Sequence, residues 1–68
     1  MLLQINKSRA IMIATRFFEQ YNSGISLKNA ILEGDTWKVT MRTGMTNTKT
    51  KQLTIDANNG KILDSIQF

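Results

Sequence analysis

The spacing of apolar residues changes at Gly24, and this change constrains the fold more than any other feature of the sequence. Before Gly24, apolar residues recur with the period of an α-helix over residues 7–22, so we expect one face of that helix to lie on a core. Asn6 or Ser8 can cap its first turn, and Gly24 supplies the left-handed residue that ends it. After Gly24 apolar and polar residues alternate, which is typical of strands. The chain therefore predicts one helix followed by a sheet.

Four segments after Gly24 carry the strand pattern, and they are residues 28–33, 36–43, 49–57 and 61–68. Short polar turns separate them, so we expect strands that are neighbours in sequence to pair in antiparallel order. The fold class predicted is α+β, with one N-terminal helix packed on a four-stranded antiparallel β-meander. Residues 1–68 should form this single domain, because a chain of this length holds one thin core.

The turn between the first two strands sets their register. Gly34 and Asp35 form a two-residue turn with glycine first, which favours type II′. The resulting register pairs Leu32 with Trp37 on the face that should meet the helix. The predicted core consists of the apolar residues on the facing surfaces of helix and sheet, namely Ala10, Ile13, Ala14, Phe17, Phe18, Tyr21, Leu32, Trp37, Val39, Met41, Leu53 and Ile55.

The register of the fourth strand stays open, because the sequence Asn-Asn-Gly at residues 58–60 allows two turns. A type I turn with a glycine bulge places Leu63 inward beside Ile55, whereas a type I′ turn places Ile62 inward instead. Both faces of this strand carry apolar residues. That pattern predicts a strand that is buried on both sides or that lies in an interface.

Catalysis is not expected, since the chain has neither histidine nor cysteine. The commonest general base and the strongest nucleophile are thus missing, as are disulfides and zinc-finger ligands. The five acidic residues fall mostly at turns and on exposed faces. Residues 56–60 resemble the start of a calcium loop, but Gly60 comes one residue too early. We therefore expect no enzyme activity, no cofactor and no metal.

Nine basic against five acidic side chains give a net charge of +4, which favours acidic partners in general. The charges are scattered, so the excess can also serve solubility alone. The longest apolar stretches are too short to span a bilayer, and the first residues lack the pattern of a signal peptide. We expect a cytoplasmic location if the chain is complete, and the location stays open if the chain comes from a longer protein.

Residues 53–63 read Leu-Thr-Ile-Asp-Ala-Asn-Asn-Gly-Lys-Ile-Leu, and this stretch resembles the end of PepSY domains. The family pattern also has an early alanine and an Ile-Ala pair in a helix, as at Ala10, Ile13 and Ala14. The resemblance covers about residues 7–63 and implies a single PepSY-like domain with a helix against an antiparallel sheet. It further implies a role in inhibiting or regulating a peptidase. Members of the family are mostly extracytoplasmic, so the resemblance implies an extracytoplasmic location if the chain comes from a longer PepSY-type protein. It brings no catalytic residues.

The leading hypothesis is a non-enzymatic protein-interaction module whose partner is a peptidase or an envelope protein. Such a module would pair its main chain with the partner at an edge strand and add contacts from the sheet face opposite the helix. The residues expected to make these contacts are Ile31, Lys38, Thr40, Arg42, Gln52 and Thr54.

Two other functions stay open. A nucleic-acid or polyanion binder would use the basic residues Lys38, Arg42, Lys49 and Lys51. It is disfavoured, because the outward positions of the strands hold no aromatic side chain for bases to stack on. A self-associating domain would bury the uncovered sheet face or the fourth strand in a homodimer.

Overall fold

The computed structural model of the chain describes residues 4–20, 24–44 and 49–68. Its elements are α1 (Lys7–Glu19), β1 (Ile25–Glu33), β2 (Thr36–Thr43), β3 (Lys49–Asp56) and β4 (Ile62–Gln67). The four strands form one antiparallel sheet in the order β1-β2-β3-β4, and each strand pairs with its neighbour in sequence. The predicted α+β layout, a helix before a four-stranded antiparallel sheet, is confirmed.

The helix begins where the capping residues predicted it. Asn6 has an extended backbone, and its side-chain oxygen accepts a hydrogen bond from the backbone N–H of Arg9 at 2.8 Å. This bond satisfies one of the amide donors that the first helical turn leaves without a partner. Of the two candidates for the cap, the chain uses Asn6.

We expect Asn6→Ala to lower the free energy of unfolding by about 1 kcal/mol, because the amide of Arg9 loses its acceptor. Urea unfolding followed by the fluorescence of Trp37 would measure this loss. Asn6→Ser is the matched control, since serine is also a good cap. Equal destabilisation by both substitutions would contradict the capping role.

The helix ends at Glu19, with Gln20 as its C-cap, which is earlier than the predicted end at residue 22. Residues 21–23 lie outside the described residues, and so does the predicted core residue Tyr21. Gly24 has a φ of 70°, so it adopts the predicted left-handed conformation directly before β1. Gly24 directly precedes β1, which begins at Ile25, three positions before the predicted start.

The first hairpin has the predicted register. Leu32 lies opposite Trp37, and Glu33 lies opposite Thr36 across the two-residue turn. Gly34 has a φ of 60°. A type II′ turn requires a positive φ at its first central residue, and among the described residues only glycines have one. A β-bulge at Lys28 separates the added residues 25–27 of β1 from the rest of the strand.

The core lies between one side of the sheet and α1, which packs mainly on β1 and β2. Its fully or almost fully buried residues come from the helix, from the two central strands and from the turn after β3. They are Ala10, Ala14, Phe18, Trp37, Val39, Met41, Leu53, Ile55 and Ala57.

Three predicted core residues are placed differently. Leu32 is 42% exposed, because it lies near the end of the edge strand β1, where its face is incompletely covered. Ile13 and Phe17 are half-buried and pack against the core from its margin. Ala57 was not predicted; it is buried because its N–H and C=O are bonded to Asp35 and to Ile5, respectively, each at 2.7 Å.

The turn before β4 combines features of both predicted alternatives. Gly60 has a φ of 75°, whereas Asn59 does not have a positive φ, so the type I′ turn is excluded. Nevertheless Ile62, the inward residue of that alternative, lies opposite Ile55. Leu63 is the extra residue of a β-bulge and has no partner on β3, so the regular pairing resumes at Asp64, which lies opposite Thr54.

The last strand is an edge strand, and each of its residues is exposed. The prediction that β4 is buried on both sides is therefore wrong for the single chain. The helix lies over β1 and β2, which leaves β4 uncovered. The other alternative, an interface, stays a prediction.

Candidate functional site

The sheet surface opposite α1, which we call the open face, carries all six residues predicted to bind a partner. Residues directly opposite each other in an antiparallel sheet share a face, so the pairing defines rows across it. Starting from the first turn, the four rows are Glu33, Thr36 and Asp56; Ile31, Lys38, Thr54 and Asp64; Asn29, Thr40, Gln52 and Ile66; and Ser26, Arg42 and Thr50.

The six predicted residues differ in how much surface they offer. Ile31 and Arg42 are exposed, whereas Thr40 is only 8% exposed. The side-chain amide of Gln52 donates a hydrogen bond to the hydroxyl of Thr40 at 3.3 Å. Thr40 therefore forms part of the floor of the open face and cannot be a main contact residue.

Charge is unevenly distributed along the open face. The two rows nearest the first turn hold the carboxylates of Glu33, Asp56 and Asp64 together with Lys38. The Nζ of Lys38 lies 3.9 Å from a carboxylate oxygen of Glu33. Both side chains are well exposed, so this pair contributes about 1 kcal/mol at most. We call this region the acidic end.

The opposite end of the open face is basic. Arg42 lies in its last row, and the bulged Lys28 lies at its β1 edge. The last two rows contain no acidic residue among the part of the chain that the structure describes. The open face thus has an acidic and a basic end, which could not be read from residue spacing alone.

The basic set predicted for a polyanion is not brought together. Lys49 lies opposite Thr43 and Lys51 opposite Met41. Thr43 and Met41 are buried on the side of α1, so both lysines belong to the face opposite Lys38 and Arg42. The cause is the alternation of β3, which places every odd-numbered residue of this strand on the side of the helix.

A groove of about 380 Å³ lies on the basic end of the open face. Its lining combines one cation, side-chain amides and hydroxyls with one aromatic ring, and consists of Lys28, Asn29, Thr40, Thr50, Gln52 and Phe68. Phe68 is 71% exposed, and its backbone N–H bonds to the carbonyl oxygen of Thr50 at 2.8 Å. Sequence reasoning missed Phe68, although its position two residues after Ile66 could have placed it on this face.

The free edge of β4 is the second surface of interest. Its exposed apolar side chains are Ile62, Leu63, Ile66 and, just beyond the strand, Phe68. The bond from Phe68 to Thr50 fixes which amides point toward β3, because amides along a strand alternate in direction. The amides of Ser65 and Gln67 therefore point away from the sheet.

These two outward amides are not equivalent. The N–H of Ser65 donates to the carboxylate of Asp64 at 2.9 Å. The N–H of Gln67 has no partner among the described residues. The edge of β4 thus presents one open backbone donor and one that is satisfied by a neighbouring side chain.

Across the described ranges, no three histidine, cysteine, aspartate or glutamate side chains lie close enough to hold a metal ion. None of the helical residues described there forms a segment that is long and apolar enough to cross a membrane. The absence of enzyme activity stays a prediction.

Comparisons of the chain with protein-family models, with curated proteins and with solved structures found no match.

Proposed function

We propose that this domain is a non-enzymatic interaction module that adds an extended segment of a partner protein to the edge of β4. The main support is that β4 is an edge strand that is exposed along its whole length and bears large apolar side chains. Strand addition of this kind gains affinity from main-chain hydrogen bonds and specificity from alternate side chains.

The sequence of β4 leaves this edge open to pairing. Proteins usually guard edge strands with prolines, with charged side chains, above all lysines, or with bulges in the middle of the strand. Asp64 is the one charged side chain in β4. The other edge strand, β1, has such a device in the bulge at Lys28. The bulge of β4 lies at Leu63, close to the turn, and residues 64–67 continue in regular pairing.

The backbone of β4 suits an added strand. The outward N–H of Gln67 is ready to donate, while that of Ser65 must first be released by the carboxylate of Asp64. Ile66 and Phe68 lie on the open face next to this edge and would contact every second side chain of the added strand. A partner segment with alternating apolar residues fits this arrangement.

The proposed partner is a peptidase, which the module would inhibit or regulate as PepSY domains are thought to do. Support comes from residues 53–63, which resemble the end of that family. In this chain the same residues form the end of β3, the glycine turn and the start of β4. The stretch that carries the resemblance therefore leads directly into the exposed edge.

Removing the open backbone donor tests the proposal. We expect the domain to inhibit a thermolysin-like metallopeptidase, and Gln67→Pro to weaken that inhibition about ten-fold, because proline lacks the amide and blocks pairing. Peptide hydrolysis at increasing domain concentration would give the inhibition constants. The fold should persist, because the lost N–H points away from β3.

Gln67→Ala is the matched control, since it removes the side chain and keeps the amide. Equal loss with alanine and proline would rule out strand addition at this edge. An absence of inhibition by the unmodified domain would rule out this class of peptidase as the partner.

A second copy of the chain is the competing occupant of the same edge. Pairing of two β4 strands would produce a dimer whose population rises with concentration. Analytical ultracentrifugation distinguishes this outcome, because a chain that remains monomeric at high concentration cannot bury the edge by itself.

A further inference from the structure

We propose that the groove at the basic end of the open face binds single-stranded nucleic acid. One base would stack on Phe68, and neighbouring phosphates would lie at Lys28 and Arg42. This inference does not depend on strand addition at β4, because it needs the groove and not the free backbone of the edge. The two surfaces share the side chain of Phe68, whereas Lys28 and Arg42 belong to the groove end alone.

Phe68 supplies the exposed aromatic ring that the outward positions of the strands lack. Trp37 is in the core and 9% exposed, so it cannot serve as a stacking platform. Phe68 is 71% exposed and lines the groove, and its backbone is held to β3 by the bond to Thr50. An aromatic ring on a sheet surface stacks with any base, because every base has a flat π face.

The floor of the groove is suited to the edges of a base. Asn29, Thr40 and Gln52 form one row across three strands. Because the amide nitrogen of Gln52 donates to Thr40, the carbonyl oxygen of Gln52 remains as an acceptor. Amides and hydroxyls can both donate and accept, which matches the mixed donors and acceptors of a base edge.

The charge pattern favours an anionic ligand in this groove. Lys28 lines it and Arg42 lies in the adjoining row, whereas the acidic side chains of the open face lie toward the first turn. A phosphate chain is therefore attracted to the basic end and repelled from the acidic end. The same positive charges would attract an acidic peptide, but such a peptide has no base to stack on Phe68.

Fluorescence anisotropy with labelled oligothymidine and oligouridine of about ten nucleotides tests the site in the full chain. We expect Phe68→Leu to weaken binding about ten-fold through loss of stacking, and Phe68→Tyr to retain affinity. Lys28→Gln and Arg42→Gln should each weaken binding and reduce the slope of log affinity against log salt by about 0.7.

Lys38→Gln is the matched control, because it removes one positive charge from the same face at the acidic end. It should change affinity and slope much less than Arg42→Gln does. Equal effects of these two variants would show that binding depends on net charge alone, and this result would overturn the proposal. Two other results would overturn it: no binding of either oligonucleotide at low salt, or equal binding of polyglutamate with no effect of Phe68→Leu.

Discussion

Trp37→Ala is expected to unfold the domain at ordinary temperature. The indole is almost fully buried between the sheet and the N-terminal segment, and its Nε1 donates a hydrogen bond to the carbonyl oxygen of Ile5 at 2.9 Å. Removing a buried indole costs about 3–5 kcal/mol, which is comparable with the whole stability of a domain this small. Far-UV circular dichroism with a urea titration would report the loss.

Two controls separate the causes of that loss. Trp37→Phe keeps an aromatic ring and removes the hydrogen bond, so the loss of the bond itself should account for about 1 kcal/mol. Leu32 lies opposite Trp37 but is 42% exposed, so Leu32→Ala should cost much less than Trp37→Ala. Comparable losses for Leu32→Ala and Trp37→Ala would show that Leu32 belongs to the core after all.

Phe18→Ala is expected to have the second largest effect on stability. Phe18 is 2% exposed and is one of three helical residues buried against the sheet. Its ring meets that of Phe17 edge to face, with centroids 5.3 Å apart and an interplanar angle of 78°. Its removal should lower the free energy of unfolding by about 3–5 kcal/mol, and urea unfolding followed by Trp37 fluorescence would measure it.

Phe17→Ala is the matched comparison, because both substitutions change the same residue type at adjacent helix positions. Phe17 is half-buried at the margin of the core, so we expect a smaller loss than at Phe18. Both variants lose the contact between the rings, which leaves burial as the difference. Equal losses would contradict the placement of Phe18 as the deeper residue.

The local features of the fold could be predicted because each depends on a few neighbouring residues. Asn6 caps the helix through a bond to an amide three residues away. Gly34 in a two-residue turn sets the pairing of Leu32 with Trp37. In both cases side-chain chemistry and backbone geometry within one turn are sufficient.

The candidate sites were only partly predictable. Alternation correctly assigned Ile31, Lys38 and Arg42 to the face opposite the helix. It could not show that Thr40 is nearly buried or that Phe68 lies at the rim of a groove. Burial and groove shape depend on residues that are distant in sequence, and the register of the last strand depends on the bulge at Leu63.

By itself, the sequence determined the order of helix and strands and the face on which most residues lie, because periodicity and turn chemistry are properties of short segments. Only the tertiary structure decided where the helix rests across the sheet. Because α1 lies over β1 and β2, β4 is left exposed. Leu32 lies near the end of β1 and stays 42% exposed, whereas Trp37 opposite it is buried and donates a hydrogen bond to the carbonyl oxygen of Ile5. Periodicity assigns a side chain to a face, whereas burial depends on whether another element covers that part of the face.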